Sequence, residues 1–230
     1  MPEITLIVDD LRGAILVEDN ADLSSEAVAH FRETLGESQN IGCARPLEII
    51  KPPIASSAPA AESVSVRIAG YYHNSLTEGP GRRSSVLFQY CPLKCKGCWV
   101  ENLHDERAGE SVTVAALADA LLDPKCERDG VSILGGEPFA QPEGLLALVK
   151  ELRKRSCPHI VCYSGYTLEQ LREKSLKKSE IGASLNEIDI LIDGAYIESL
   201  AGGAGLWTGS GNQRVIDIRK TVKSGRTVLY

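Results

Sequence analysis

The 230-residue sequence has no run of the roughly 18–20 apolar residues that a membrane-spanning helix needs. Its opening, MPEITLIVDD, has neither a basic flank nor a long apolar stretch, so no secretory signal peptide is expected there. Basic excess is missing too. The 25 Lys and Arg stand against 31 Asp and Glu, a formal net charge of -6, which argues against a nucleic-acid surface. There is no internal repeat, no phosphate-binding P-loop and no hydrolase nucleophile elbow. Nor is there an even complement of cysteines. Seven in a chain without an export signal argue against a disulfide framework and for reduced thiols in the cytoplasm. What is present is ordinary globular material, 43% hydrophobic and 24% charged, which excludes wholesale disorder.

The acidity is uneven. Residues 1–50 hold ten acidic and three basic residues, so the rest of the chain is close to neutral. Alternation in Ile4, Leu6 and Val8, then the run Ala14 to Val17, predicts a β-hairpin. Residues 24–36 predict a helix between Ser24 or Ser25 and Gly36. Residues 51–64, rich in Pro, Ala and Ser, read as a linker. The expected organisation is a small acidic ββα module (1–50), the linker (51–64) and a larger domain (65–230).

In that larger domain strands are predicted at Val64–Ile68, Val86–Gln89, Val131–Leu134, Ile160–Tyr163 and Ile188–Ile192. Between them, Thr113 can cap a helix with Val114, Leu117, Ala118 and Leu121 on one face, and Leu145, Leu148, Val149 and Leu152 form a second stripe. Thr167 and Gln170 have the spacing of a capping box. Strands alternating with helices imply an α/β fold with a parallel sheet, whose ligands gather beyond the carboxyl ends of the strands.

Cys91, Cys95 and Cys98 form C-x3-C-x2-C in CPLKCKGCW, directly after a predicted strand. Several readings fit three thiols in eight residues. They could be buried thiols clustered by chance, or structural zinc ligands with His104 as the fourth. They could also hold an electron-carrying iron–sulfur cluster with a fourth ligand from Cys126, Cys157 or Cys162. A fourth reading is a [4Fe–4S] cluster with one iron left open for a small molecule. Gly135-Gly136-Glu137-Pro138 follows a buried strand; alone it reads as a tight turn.

Together, the cysteine triplet and GGEP resemble the two motifs of the radical S-adenosylmethionine superfamily. EGPGRRSSVLFQYCPLKCKGCW (78–99) is similar to the opening of glycyl-radical-enzyme activases, and YSGYTLEQL (163–171) to their next strand end. IDGAYIESL (192–200) and WTGSGNQRVID (207–217) resemble one subgroup, the anaerobic ribonucleotide reductase activating proteins. Tyr90 departs from the Gly usual before the first cysteine, and residues 1–50 have no counterpart in the minimal activases.

The resemblance implies a partial (βα) barrel of the radical-SAM type, with Cys91, Cys95 and Cys98 binding a [4Fe–4S] cluster. It implies S-adenosylmethionine on the open iron, its amino group seated by Gly135, Gly136 and Glu137. Reductive cleavage would then give a 5′-deoxyadenosyl radical that takes hydrogen from a glycine Cα of a partner enzyme. A small-molecule or peptide substrate, or a non-catalytic electron carrier, are the alternatives. A low-potential donor such as flavodoxin or ferredoxin is implied; nucleic acid and membrane are not. Tyr163, Ser164 and Thr167 stand where they could touch adenosine, with turn and cap chemistry as the competing reading. Arg214, in a Gly-rich run with Asn212 and Gln213, could pair with a ligand carboxylate or ribose, or with Asp217. Trp99 and Trp207 could wall the cavity or belong to the core.

Overall fold

A computed structural model of the chain describes residues 6–9, 14–17, 50 and 64–230. The chain divides into two units, Met1–Glu48 and Ile49–Tyr230. In the first, β1 (Leu6–Asp9) pairs antiparallel with β2 (Ala14–Val17), Leu6 opposite Val17, which is the expected hairpin. The helix expected over 24–36 and the linker over 51–64 lie outside the described residues, apart from Val64.

The second unit is built on seven strands: β3 (Ser65–Ser75), β4 (Arg83–Phe88), β5 (Glu110–Thr113), β6 (Gly130–Gly135), β7 (Ile160–Ser164), β8 (Ile190–Asp193) and β9 (Arg214–Asp217). Their order across the sheet is β5-β3-β4-β6-β7-β8-β9. The run β4-β6-β7-β8 is parallel; β3, β5 and β9 pair antiparallel. The sheet is thus mixed at its edges, where the sequence pattern suggested a parallel one.

Helices α1 (Val114–Leu121), α2 (Pro142–Lys154), α3 (Leu168–Ser175), α4 (Ser179–Glu187) and α5 (Ile218–Ser224) complete the unit. Each parallel strand is added on the same side of the one before it. With right-handed crossovers, that progression puts every connecting helix on one face of the sheet, the winding of a partial barrel. One core confirms the arrangement. It joins Val86 and Phe88 of β4, Val131 and Ile133 of β6, Cys162 of β7 and Leu191 of β8 to buried residues of all five helices. The four residues predicted to face inward from α1 are its four buried ones, and the four of the α2 stripe are buried together with Pro142 and Gly144. Thr113 caps α1 through Ala116 N–H, and Thr167 and Gln170 form the full capping box on α3.

The opposite face carries a smaller apolar group, Val161, Ile190 and Ile192, packed by Tyr163, Trp207 and Val215. Arg83 is fully buried at the amino end of β4. Its guanidinium donates to Ser132 Oγ at 3.0 Å and to the Val131 carbonyl at 2.6 Å, with Pro80 and His159 carbonyls at 3.2 Å. Hydrogen-bond acceptors thus surround a charge that burial alone would expel. Among the described residues no helix is long and apolar enough to cross a membrane.

Candidate functional site

Parallel register sets where the motifs meet. Phe88 at the end of β4 is aligned with Gly135 of β6, and Ser164 of β7 with Asp193 of β8. The cysteine loop, the GGEP loop, the Ser164-Gly165 turn and the Gly194 turn therefore leave the sheet at the same edge. β9 runs antiparallel with Arg214 opposite Asp193, which brings the Gly-rich segment before Arg214 to that edge as well. The expected site residues lie at or beyond these strand ends.

The GGEP loop is pressed onto the chain leading into Cys91. Gly136 N–H donates to the Phe88 carbonyl and Glu137 N–H to the Tyr90 carbonyl, both at 2.8 Å. A Cβ on Gly135 would meet the Phe88 backbone at 2.5 Å, and Gly135 has φ +109. Both glycines are thus required by close approach of backbone to backbone. Tyr90 itself has φ +77, the left-handed region that costs any side-chain-bearing residue. The sequence departure at Tyr90 falls on a position whose geometry suits glycine.

In the cysteine loop, Lys94 (φ +46) and Gly97 (φ +69) make the turns, and Cys98 N–H donates to the Cys95 carbonyl. Cys91 is buried and Cys95 and Cys98 are half-buried. Burial pushes the Cys91 thiol above its ordinary range, while the Leu93 and Lys94 backbone pulls it down. Among the described residues no three His, Cys, Asp or Glu side chains are gathered closely enough to hold a metal ion. Three thiols within eight residues of one loop are nevertheless the donor type that an iron–sulfur cluster takes. A Cβ on Gly165 would lie 2.2 Å from Leu93 Cδ1, and one on Gly97 2.7 Å from Glu198 Oε1, so the Leu93 and Glu198 side chains pack against glycine backbone on both flanks of the loop.

His104 faces a cleft of about 470 Å³ beside the loop, lined also by Tyr90, Pro92, Lys94 and Arg107. Its Nε2 is buried without a hydrogen-bond partner. Trp99 is 77% exposed and leans on Tyr196, so it is not part of the core. Trp207 packs on the helix-free face against Tyr230 and accepts from Tyr163 Oη through its carbonyl at 3.0 Å.

Four expected ligand contacts, Glu137, Ser164, Thr167 and Arg214, have their side chains engaged within the protein. Glu137 is 0% exposed. Its Oε1 accepts from Phe139 N–H at 3.0 Å, its Oε2 from Gly165 N–H at 2.8 Å, and both oxygens lie 3.1 Å from the Ser164 hydroxyl. Thr167 Oγ1 accepts from Gln170 N–H, as its cap reading foresaw. Arg214 is turned to Asp193, with contacts of 2.9 and 2.5 Å, and to Glu169 at 2.7 Å. Asp217, the partner considered from sequence, instead caps α5 through Lys220 N–H. The Arg214 fork holds the Glu169 carboxyl down at about 2. Asp193, unremarked in the sequence, also accepts from Leu168 N–H at 2.6 Å, so it ties α3 and β9 to the end of β8.

Residues 77–216 match the family model of the 4Fe-4S single cluster domain. An anaerobic ribonucleoside-triphosphate reductase-activating protein of Haemophilus influenzae is 32% identical over 150 residues, covering 62% of this chain and 92% of the relative. A pyruvate formate-lyase-activating enzyme of Clostridium pasteurianum is 28% identical over 162 residues, covering 69% and 63% of the two chains. Among solved structures, QueE from Escherichia coli overlaps with a TM-score of 0.39 at 18% identity, over 45% of this chain and 54% of that one.

Proposed function

The chain belongs to the family of anaerobic ribonucleoside-triphosphate reductase-activating proteins, and on that premise we propose that it makes a glycyl radical on a partner reductase. It is a radical-SAM enzyme of the glycyl-radical-activase kind. Cys91, Cys95 and Cys98 are the residues that would hold the cluster, and the single observation carrying this reading is the GGEP loop bonded to the backbone just before Cys91. A [4Fe–4S] cluster held there would supply one-electron reductive cleavage of S-adenosylmethionine, giving methionine and, after hydrogen abstraction from a glycine Cα, 5′-deoxyadenosine.

The chain's own part is positioning. Gly135 and Gly136 present bare backbone next to the cysteine loop, where carbonyl groups can accept from the ammonium of the methionine moiety. Ser164 stands at the neighbouring strand end and is buried, while Thr167 and Arg214 frame the same edge through the α3 cap and the Asp193 pair. The electron comes from a low-potential donor such as a flavodoxin or ferredoxin. The free thiols suit a cytoplasmic setting. The acidic segment 1–50 is assigned to partner docking, which would raise the partner's effective concentration without touching the chemistry.

The test is to incubate the cluster-loaded protein with S-adenosylmethionine, a reductant and an anaerobic ribonucleotide reductase, then record the electron paramagnetic resonance spectrum. A glycine-centred radical on the reductase is expected. Cleavage of S-adenosylmethionine with no radical on the reductase would assign the enzyme to another substrate.

A further inference from the structure

Three loops form a closed ring at the carboxyl edge of the sheet. The GGEP loop is bonded to the Tyr90 carbonyl, one residue before Cys91. The Glu137 carboxylate reaches across to the β7 turn and accepts from Gly165 N–H. Gly165 in turn lies directly against Leu93, between Cys91 and Cys95. Contact thus runs from the cysteine loop through Glu137 and Gly165 back to the cysteine loop.

We propose that Glu137 and Ser164 form an internal staple that sets the β6 and β7 loops for S-adenosylmethionine, so that Glu137 is a positioning residue and not a ligand contact. This rests on the functional reading above. Every hydrogen bond to the carboxylate comes from a donor inside the protein: Phe139 N–H, Gly165 N–H and the Ser164 hydroxyl. The hydroxyl's direction is fixed, because Ser164 Oγ accepts from Tyr166 N–H at 3.0 Å and so turns its hydrogen to Glu137. Three internal donors occupy both oxygens and the side chain has no exposed surface, so it offers no accessible lone pair to an incoming ammonium. Two residues that each seem placed for the ligand act as one unit, transmitted through the Gly165 backbone to Leu93.

A staple and a direct contact respond differently to mutation. The test uses the full chain, reconstituted with its cluster without oxygen, as Glu137→Gln, Ser164→Ala, Ser164→Thr and the double variant Glu137→Gln with Ser164→Ala. Equilibrium binding of S-adenosylmethionine and hydrogen exchange at the Gly165 amide are measured, with iron content as the control on the cluster. At about pH 8, where the carboxyl is ionised, a hydrogen bond to a charged group corresponds to roughly a ten- to hundredfold change in affinity, so Glu137→Gln and Ser164→Ala should each weaken binding on that scale. Both should speed exchange at Gly165. The double variant should bind no worse than Glu137→Gln alone, since the pair acts as a unit. Ser164→Thr, which keeps the hydroxyl, should return both properties toward wild type.

Wild-type affinity and wild-type Gly165 protection in Ser164→Ala would overturn the staple, as would losses that add in the double variant. If Glu137→Gln fails to retain iron, the Ser164→Ala and Ser164→Thr pair decides alone. Wild-type protein that takes up iron but never binds S-adenosylmethionine would defeat the functional reading instead, and the exchange results would still report on the staple.

Discussion

The Gly136 Cα and the Tyr90 carbonyl oxygen are in such close contact that a Cβ added to Gly136 would stand 2.2 Å from that oxygen. This is where the two motifs of the sequence become one structure. Gly136 N–H is already donated to Phe88, so the glycine cannot retreat without breaking the bridge between β4 and β6 at their carboxyl ends. Gly136→Ala should therefore lose roughly 1–3 kcal/mol of stability as the backbone shifts to relieve the overlap. Denaturant unfolding measures this, and iron uptake should fall in parallel. A fully stable variant with normal iron uptake would show that the approach is not needed.

The cysteines divide by position. Cys126 and Cys157 precede β6 and β7 and so lie toward the amino ends of the strands, while Cys162 is buried in the helix-side core. Replacing any of these three by Ala should leave about four irons per chain after reconstitution. Replacing Cys91, Cys95 or Cys98 should remove the cluster. Loss of iron from the Cys126→Ala variant would point to a fully ligated electron-transfer cluster.

Burial raises the Glu137 carboxyl from 4.5 to about 7, against the pull of its Phe139, Gly165 and Ser164 donors. Between those two values the folded protein holds a proton that the unfolded chain releases, so this group makes stability fall as pH rises through that window. Glu137→Gln removes the contribution. The difference in melting temperature between variant and wild type should therefore move in the variant's favour from about pH 5 to about pH 8. A pH-independent difference would mean that the carboxyl does not titrate there.

Arg214 supports a buried carboxylate, since Asp193 is 1% exposed and Arg214 is its ion-pair partner. Arg214→Ala should cost roughly 1–3 kcal/mol, since Asp193 loses its partner but keeps the Leu168 N–H and gains access to water where the arginine is 33% exposed. Arg214→Lys should recover only part of it, because an ammonium cannot reproduce the fork that spans Asp193 and Glu169. Unfolding free energies decide.

Much of this was legible in the sequence where a single period dominates. The α1 and α2 stripes named their buried residues because one face meets one core. Thr167 and Gln170 announced their capping box because that motif is local. β5, with only Val112 as a large apolar residue, and β9, read as part of a Gly-rich run, were missed. Such short edge strands are held by their neighbours' backbone, which no local pattern records. Arg83 gave no sign of its burial, since its acceptors are backbone carbonyls and a serine distant in sequence. The motif residues were found, but the direction of the Glu137 side chain was not. That depends on Ser164 and Gly165, more than twenty residues further on, arriving at the adjacent strand end.

The central claim is that the cysteine loop and the GGEP loop together make a centre that cleaves S-adenosylmethionine. The direct test is to reconstitute the protein with iron and sulfide under anaerobic conditions, add S-adenosylmethionine and a strong reductant, and quantify 5′-deoxyadenosine. Wild type should form 5′-deoxyadenosine and methionine in equal amounts, and the Cys91→Ala variant should form neither. A wild-type protein that carries its cluster and releases no 5′-deoxyadenosine would contradict the account.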